Sequence, residues 1–178
     1  MVIRSFDGVS PDIHESAYID ETAVVIGDVV VEENASVWPN ATLRGDEEGT
    51  IRVGAQTSVQ DNCVFHEGPD VGAYVTVGHS AIVHGCTVAD DCLIGMGSVV
   101  LSRAEIGERS VVAAGAVVRE GQEVPPETLV AGVPAEPVRD LSDVQHPRSS
   151  ERGEMSHYAK LARRHRATSE AIERSELD

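Results

Sequence analysis

Large aliphatic or aromatic residues recur at every sixth position over most of this chain. Ile13, Ile19, Val25, Val31, Val37 and Leu43 open the series, and Val53, Val59, Phe65, Val71, Val77 and Val83 resume it after a short break. A one-residue slip leads into Val88, Ile94, Val100, Ile106, Val112, Val118, Val124 and Val130. No polar residue interrupts these twenty positions. Four residues after each lies a second constrained place, filled by Ala, Ser, Thr, Cys or Val in sixteen of the twenty cases, as at Ala17, Ala35, Thr57, Ala81, Ser98 and Ala116.

A period of six matches neither the 3.6-residue helix nor the two-residue alternation of a simple strand. It matches one short strand and one turn, three of which close a triangular coil with the large aliphatic inside and the small residue at the corner. The fold class read from this pattern is all-β: a left-handed parallel β-helix of hexapeptide repeats, with a C-terminal α-helix. Stacked at about 4.8 Å, about seven coils make a prism about 33 Å long. Gly54, Gly72, Gly78, Gly95 and Gly107 follow inward aliphatics, where close backbone approach is expected. A sandwich of short strands would not hold a six-residue register over this length.

Residues 44–52 break the series and read as an excursion from one coil. The prism ends near residues 131–137, so residues 1–140 are read as the β-helix and 141–178 as a linker and helix packed on it. Pro147 and the Ser149-Ser150 pair change the pattern. From 151 to 176 the chain reads as helix, with Met155, Tyr158, Leu161 and Ala162 on one face and Arg163, Arg164 and Arg166 on much of the rest.

Composition narrows the functional classes. Hydrophobic residues make up 41% but only six residues are aromatic, so small and branched aliphatics must fill the core. The net charge is −16, with one lysine (Lys160) against thirteen arginines. Such a field repels nucleic acid and anionic membrane. We read it as adaptation to a salt-rich cytosol, where a Debye length of about 3 Å at 1 M salt screens the self-repulsion. The first residues lack the apolar stretch of a signal peptide, no run is long enough to span a membrane, and Cys63, Cys86 and Cys92 lack disulfide or zinc-ribbon spacing. A cytoplasmic protein is expected.

Four of seven histidines lie inside the repeat, and three of them, His66, His79 and His84, cluster in its middle coils. His66 follows inward Phe65 and His84 follows inward Val83, so both point outward. They are eighteen residues apart, one full coil, and should stack on one face. His79, two residues beyond Val77, belongs near another face or corner and should point away from the pair. A homotrimer resolves this, with His66 and His84 from one chain meeting His79 of the next. Isolated outward histidines are ordinary surface residues, but this combination points to a metal. Three neutral imidazoles and an open position suit catalytic zinc, and also ferrous iron or cobalt.

At these residues the chain resembles the γ-class carbonic anhydrase family. The matching motifs are Arg44-Gly45-Asp46-Glu47, Val59-Gln60-Asp61, the lone His66, Gly78-His79-Ser80-Ala81-Ile82-Val83-His84-Gly85 and Ile94-Gly95-Met96-Gly97. The resemblance implies that His66, His79 and His84 are metal ligands and that Arg44 and Asp46 form an interface ion pair. It implies that Gln60 hydrogen-bonds the reactive hydroxide, that Asp61 supports that network and that Glu47 transfers protons. The implied reaction is reversible hydration of carbon dioxide to bicarbonate.

Two departures stand out. Ser58 replaces a common Asn, and only Glu67-Gly68-Pro69-Asp70 separates His66 from the next repeat, where some members carry an acidic loop with a proton shuttle. Two other classes compete. Many hexapeptide β-helix proteins are acyltransferases, and Ala131-Gly132-Val133-Pro134-Ala135 resembles their ending; His79 or His84 would serve as general base. A non-catalytic metal-binding scaffold would also tolerate the missing shuttle.

Overall fold

The computed structural model describes residues 1–143 and 154–170. Its strands stack into three parallel sheets that form the faces of a triangular solenoid. The first face holds Val2–Arg4, Val24–Gly27, Thr42–Gly45, Val64–His66, Ile82–His84, Val99–Val100 and Val117–Val118. The second runs from Asp12–Ile13 to Glu123–Val124, and the third from Tyr18–Ile19 to Thr128–Ala131. Each of these series contains seven parallel strands, one per coil. The strand Glu136–Asp140 closes the third face by pairing antiparallel with Thr128–Ala131.

Of the twenty six-residue positions, all but Ile13 and Ile19 are buried, and those two pack partly buried against the same core. They sit in the first coil, where the solenoid has no preceding turn to cover them. The slip corrects one detail of the sequence reading: after Val83 the inward small residue is Cys86, and Thr87, four residues on, faces out. After the excursion, Ile51 takes the inward place while Glu47 is exposed. Burial pushes the thiol of Cys63 up to about 11 and those of Cys86 and Cys92 up to about 12, so all three act as small apolar fillers.

Close stacking explains two glycines. A Cβ on Gly54 would lie 2.4 Å from the Gly72 carbonyl carbon, and one on Gly95 would lie 2.5 Å from the Ala114 nitrogen. Neither contact can be relieved, because both partners are backbone.

The three faces differ outside. Along the first, Val24, Thr42, Val64, Ile82, Val99 and Val117 form an outward register column without a charge. The equivalent column of the second face carries Asp12, Arg52, Asp70, Glu105 and Glu123. On the third face, Tyr18, Ser36 and Ser58 lie beneath the C-terminal helix region, with Trp38 packed at 5.3 Å from the Tyr18 ring. Trp38 Nε1–H donates toward the Ser36 and Ser58 hydroxyls, each at 3.0 Å.

The helix is shorter than the pattern suggested, spanning His157–Thr168. Ser156 caps it by accepting from the Ala159 amide, which places Met155 ahead of the helix. The expected flanks at 151–153 and 171–176 lie outside the described residues. Ala159 and Ala162 are buried, and His165 stands edge-on to Trp38 at 5.3 Å. Arg163 donates to Asn34 Oδ1 and Arg166 to the Glu15 carbonyl, so part of the basic surface ties the helix to the corners of the prism.

Candidate metal centre

Alternation in Val64–His66 turns Phe65 inward and leaves Val64 and His66 outside. Parallel pairing then stacks Arg44, His66 and His84 in register on three successive coils of the first face. His66 Nδ1 lies 3.3 Å from His84 Nε2, with ring centroids 5.3 Å apart. Arg44 Nη2 donates to His66 Nε2 at 2.7 Å. A guanidinium only donates, so His66 Nε2 carries the lone pair in this contact.

Two carboxylates from the excursion join this column. Asp46 Oδ1 is 3.2 Å from Arg44 Nε and 3.4 Å from His66 Nε2, and Glu47 Oε1 is 3.8 Å from the same nitrogen. Asp46 Oδ1 is closed off from solvent and makes no hydrogen bond, an acceptor compensated by charge alone. The excursion is pinned by backbone contact: a Cβ on Gly68 would lie 2.7 Å from Gly49. This brings Glu47 and Glu48 beside Glu67, Gly85, Ser102 and Arg103 around one cavity of about 560 Å³.

Glu67 is more central than its sequence suggested. Its Oε2 lies 3.3 Å from His84 Nδ1, and His66, Glu67 and His84 offer ligand atoms within 4.8 Å of one another. Ser102, which sequence reasoning missed, places its hydroxyl 3.0 Å from His84 Nδ1. Spacing does not reveal it: the slip pairs Ile82 with Val99 and Val83 with Val100, which sets Leu101 level with His84 and leaves Ser102 one residue beyond, in the turn.

The remaining candidates gather at the opposite edge of the first face. His79 lies in the turn that leads into Ile82–His84, with Nδ1 2.9 Å from Asp61 Oδ2. Gln60 is buried beside this corner and lines a groove of about 430 Å³ on the third face, together with Leu93, Met96, Val111, Leu129 and Tyr158. Within one chain, then, Gln60, Asp61 and His79 form one half of the candidate set. Arg44, Asp46, Glu47, His66 and His84 form the other.

Comparison with known proteins adds the family. The description "Bacterial transferase hexapeptide (six repeats)" matches residues 85–120. The carnitine operon protein CaiE of a Proteus species is 42% identical over 147 residues, covering 80% of this chain and 74% of that protein. The mitochondrial gamma carbonic anhydrase 1 of Arabidopsis thaliana is 36% identical over 168 residues, covering 89% of this chain and 60% of that protein. The chain belongs to the γ-carbonic-anhydrase-like hexapeptide-repeat family. A solved hexapeptide transferase family protein from Anaplasma phagocytophilum superposes with a TM-score of 0.81 at 39% identity, covering 91% of this chain and 96% of that one. The solenoid therefore carries the left-handed turn of the family's β-helices. Among the described residues, no helix is long and apolar enough to cross a membrane. The same prism hosts hydration and transfer chemistry, so the site, rather than the fold, has to decide between them.

Proposed function

We propose that this protein is a carbonic-anhydrase-like metalloenzyme that hydrates carbon dioxide reversibly at sites shared between the subunits of a homotrimer. One observation carries the reading: the stacked His66–His84 pair occupies one edge of the first face, and the His79–Asp61 pair occupies the other. A three-fold axis along this face sets one chain's His79 against the next chain's His66 and His84. The outward column of the first face supports that axis, since Val64 and Ile82 remain 39% and 38% exposed in the single chain.

The residues present fit a zinc ion. His66 and His84 are in contact, with the lone pair of each satisfied in the free chain by a neighbouring N–H, and Asp46 Oδ1 beside them lacks a hydrogen-bond partner. The ligands would be His66 and His84 of one chain and His79 of its neighbour. Zinc, when bound, lowers the pKa of water from 15.7 toward about 7 and so supplies hydroxide at neutral pH.

The chain's own groups do the rest. Asp61 accepts from Nδ1 of a neutral His79, which leaves Nε2 as its ligating nitrogen. The buried Gln60 offers an uncharged amide beside that corner to orient the nucleophile. Arg44 holds Asp46 and closes the floor of the site. Glu47, with its side chain 55% exposed, accepts the released proton and passes it to water.

The test is stopped-flow hydration of carbon dioxide after anaerobic loading with zinc, ferrous iron or cobalt, with His79→Ala as control. Metal-dependent hydration that disappears in His79→Ala supports the reading. One tightly held metal per chain without hydration would overturn it and leave a metal-binding scaffold. The assay belongs in molar salt, because we also take the −16 charge as salt adaptation. A higher melting midpoint in molar than in dilute potassium chloride is the expected result; equal midpoints would remove that reading.

One feature favours a second reading, a hexapeptide acyltransferase: the apolar groove that ends at Gln60. Metal-independent, saturable binding of acetyl-coenzyme A by calorimetry, with no hydration, would select it.

A further inference from the structure

The polar contacts behind His84 form a closed set. Ser102 Oγ and Glu67 Oε2 lie 3.0 and 3.3 Å from His84 Nδ1. Ser102 itself donates to Glu67 Oε2 at 3.1 Å. A hydroxyl has one proton. Once Ser102 gives it to Glu67, its oxygen meets His84 Nδ1 with a lone pair, so Nδ1 must be the protonated nitrogen.

The other end of the column leads to the same tautomer. Arg44 donates to His66 Nε2. A neutral His66 therefore carries its proton on Nδ1, which faces His84 Nε2 at 3.3 Å. His84 Nε2 accepts, and its proton again falls on Nδ1. Two independent chains of donors agree on one assignment, as tautomer assignment from a network requires.

Local backbone keeps Ser102 in place. Gly85, at φ +52°, directly follows His84, and a Cβ there would lie 3.2 Å from Ser102 Oγ and 3.3 Å from the Glu67 carbonyl oxygen. Any other residue at this position would crowd Ser102, whose hydroxyl would have to give way, and would adopt a left-handed backbone that side chains disfavour.

We infer that Ser102 and Glu67 are positioning residues that hold His84 with Nδ1 protonated and Nε2 unprotonated, its lone pair the one a metal would take. The inference rests on the proposed metal site and adds to it the groups that orient one ligand. Glu67 acts through His84 rather than as a ligand of its own, and its charge increases the electron density available at Nε2.

The experiment is competitive titration of zinc against a chromophoric chelator, with the visible spectrum of the cobalt-loaded protein as a second readout. It uses the full-length wild type, Ser102→Ala, Ser102→Thr and Glu67→Gln, each first shown to keep the wild-type melting curve. Ser102→Ala should bind zinc about 10- to 100-fold more weakly while its cobalt bands keep their position and intensity. Ser102→Thr, which retains the hydroxyl, should recover most of the affinity.

Zinc affinity in Ser102→Ala within about twofold of wild type would overturn the role of Ser102, since an orienting contact of this kind costs more. Altered cobalt bands in Glu67→Gln would show that Glu67 is a ligand and overturn its positioning role. A wild-type protein that binds neither metal would overturn the metal site itself, an outcome separate from either of these.

Discussion

Mixing His79→Ala and His84→Ala subunits should restore hydration that neither variant would have alone, if the proposed site is shared between chains. Each variant by itself should fall to the rate of the buffer, because each would lack one donor at every proposed site. In a trimer assembled from equal amounts of both, a site is whole where a His79→Ala chain supplies His66 and His84 and its neighbour supplies His79. Random assortment makes about a quarter of the interfaces whole, so about a quarter of wild-type activity is expected. The prediction follows from the separation of the two half-sites across the first face, where His79 pairs with Asp61 and His84 with Glu67 and Ser102. A site completed within one chain, for instance by His66, Glu67 and His84 alone, would show no rescue. In that case His79→Ala would retain both metal and activity.

Phe65→Ala should destabilise the solenoid by about 3–5 kcal/mol, the usual range for removing a buried aromatic side chain. Phe65 is fully buried and heads the largest side chains of the core. It stacks between Leu43 in the coil before and Val83 in the coil after. In a solenoid each coil is stabilised by its two neighbours, so a cavity here weakens two interfaces together. Phe65 also separates outward Val64 from His66, and relaxation into the cavity would shift the histidine column. Urea denaturation at fixed protein concentration and fixed molar salt provides the measurement, since the stability of the proposed trimer would depend on both. A loss below about 1 kcal/mol would mean that the neighbouring aliphatics collapse into the space, and would overturn this expectation.

Much of this protein could be read from residue spacing. Away from the excursion and the slip, the six-residue period determined which side chains enter the core, because a strand and turn of constant length return the chain to the same inward direction. Eighteen residues per coil likewise determined that His66 and His84 share one face. The same arithmetic reaches the apolar column of Val24, Val64, Ile82, Val99 and Val117, one residue before each inward position, although it becomes informative only beside the charged column of the second face.

Where the period is interrupted, the tertiary structure decided the outcome. Arg44 stands 22 residues before His66, because the excursion adds four residues to that coil, and only strand pairing shows that the two are in register. At the slip, Cys86 rather than Thr87 turns inward, since the short turn through Gly85 leaves one residue fewer to reach the corner. The helix begins at His157 because Ser156 caps it, and it settles on the third face because Tyr18 and Trp38 offer an aromatic bed there. Glu67 and Ser102 reach His84 from corners in neighbouring coils. A repeat specifies direction and spacing, but contacts at its corners depend on side-chain reach and on how adjacent turns pack, and those are settled only when the coils are stacked.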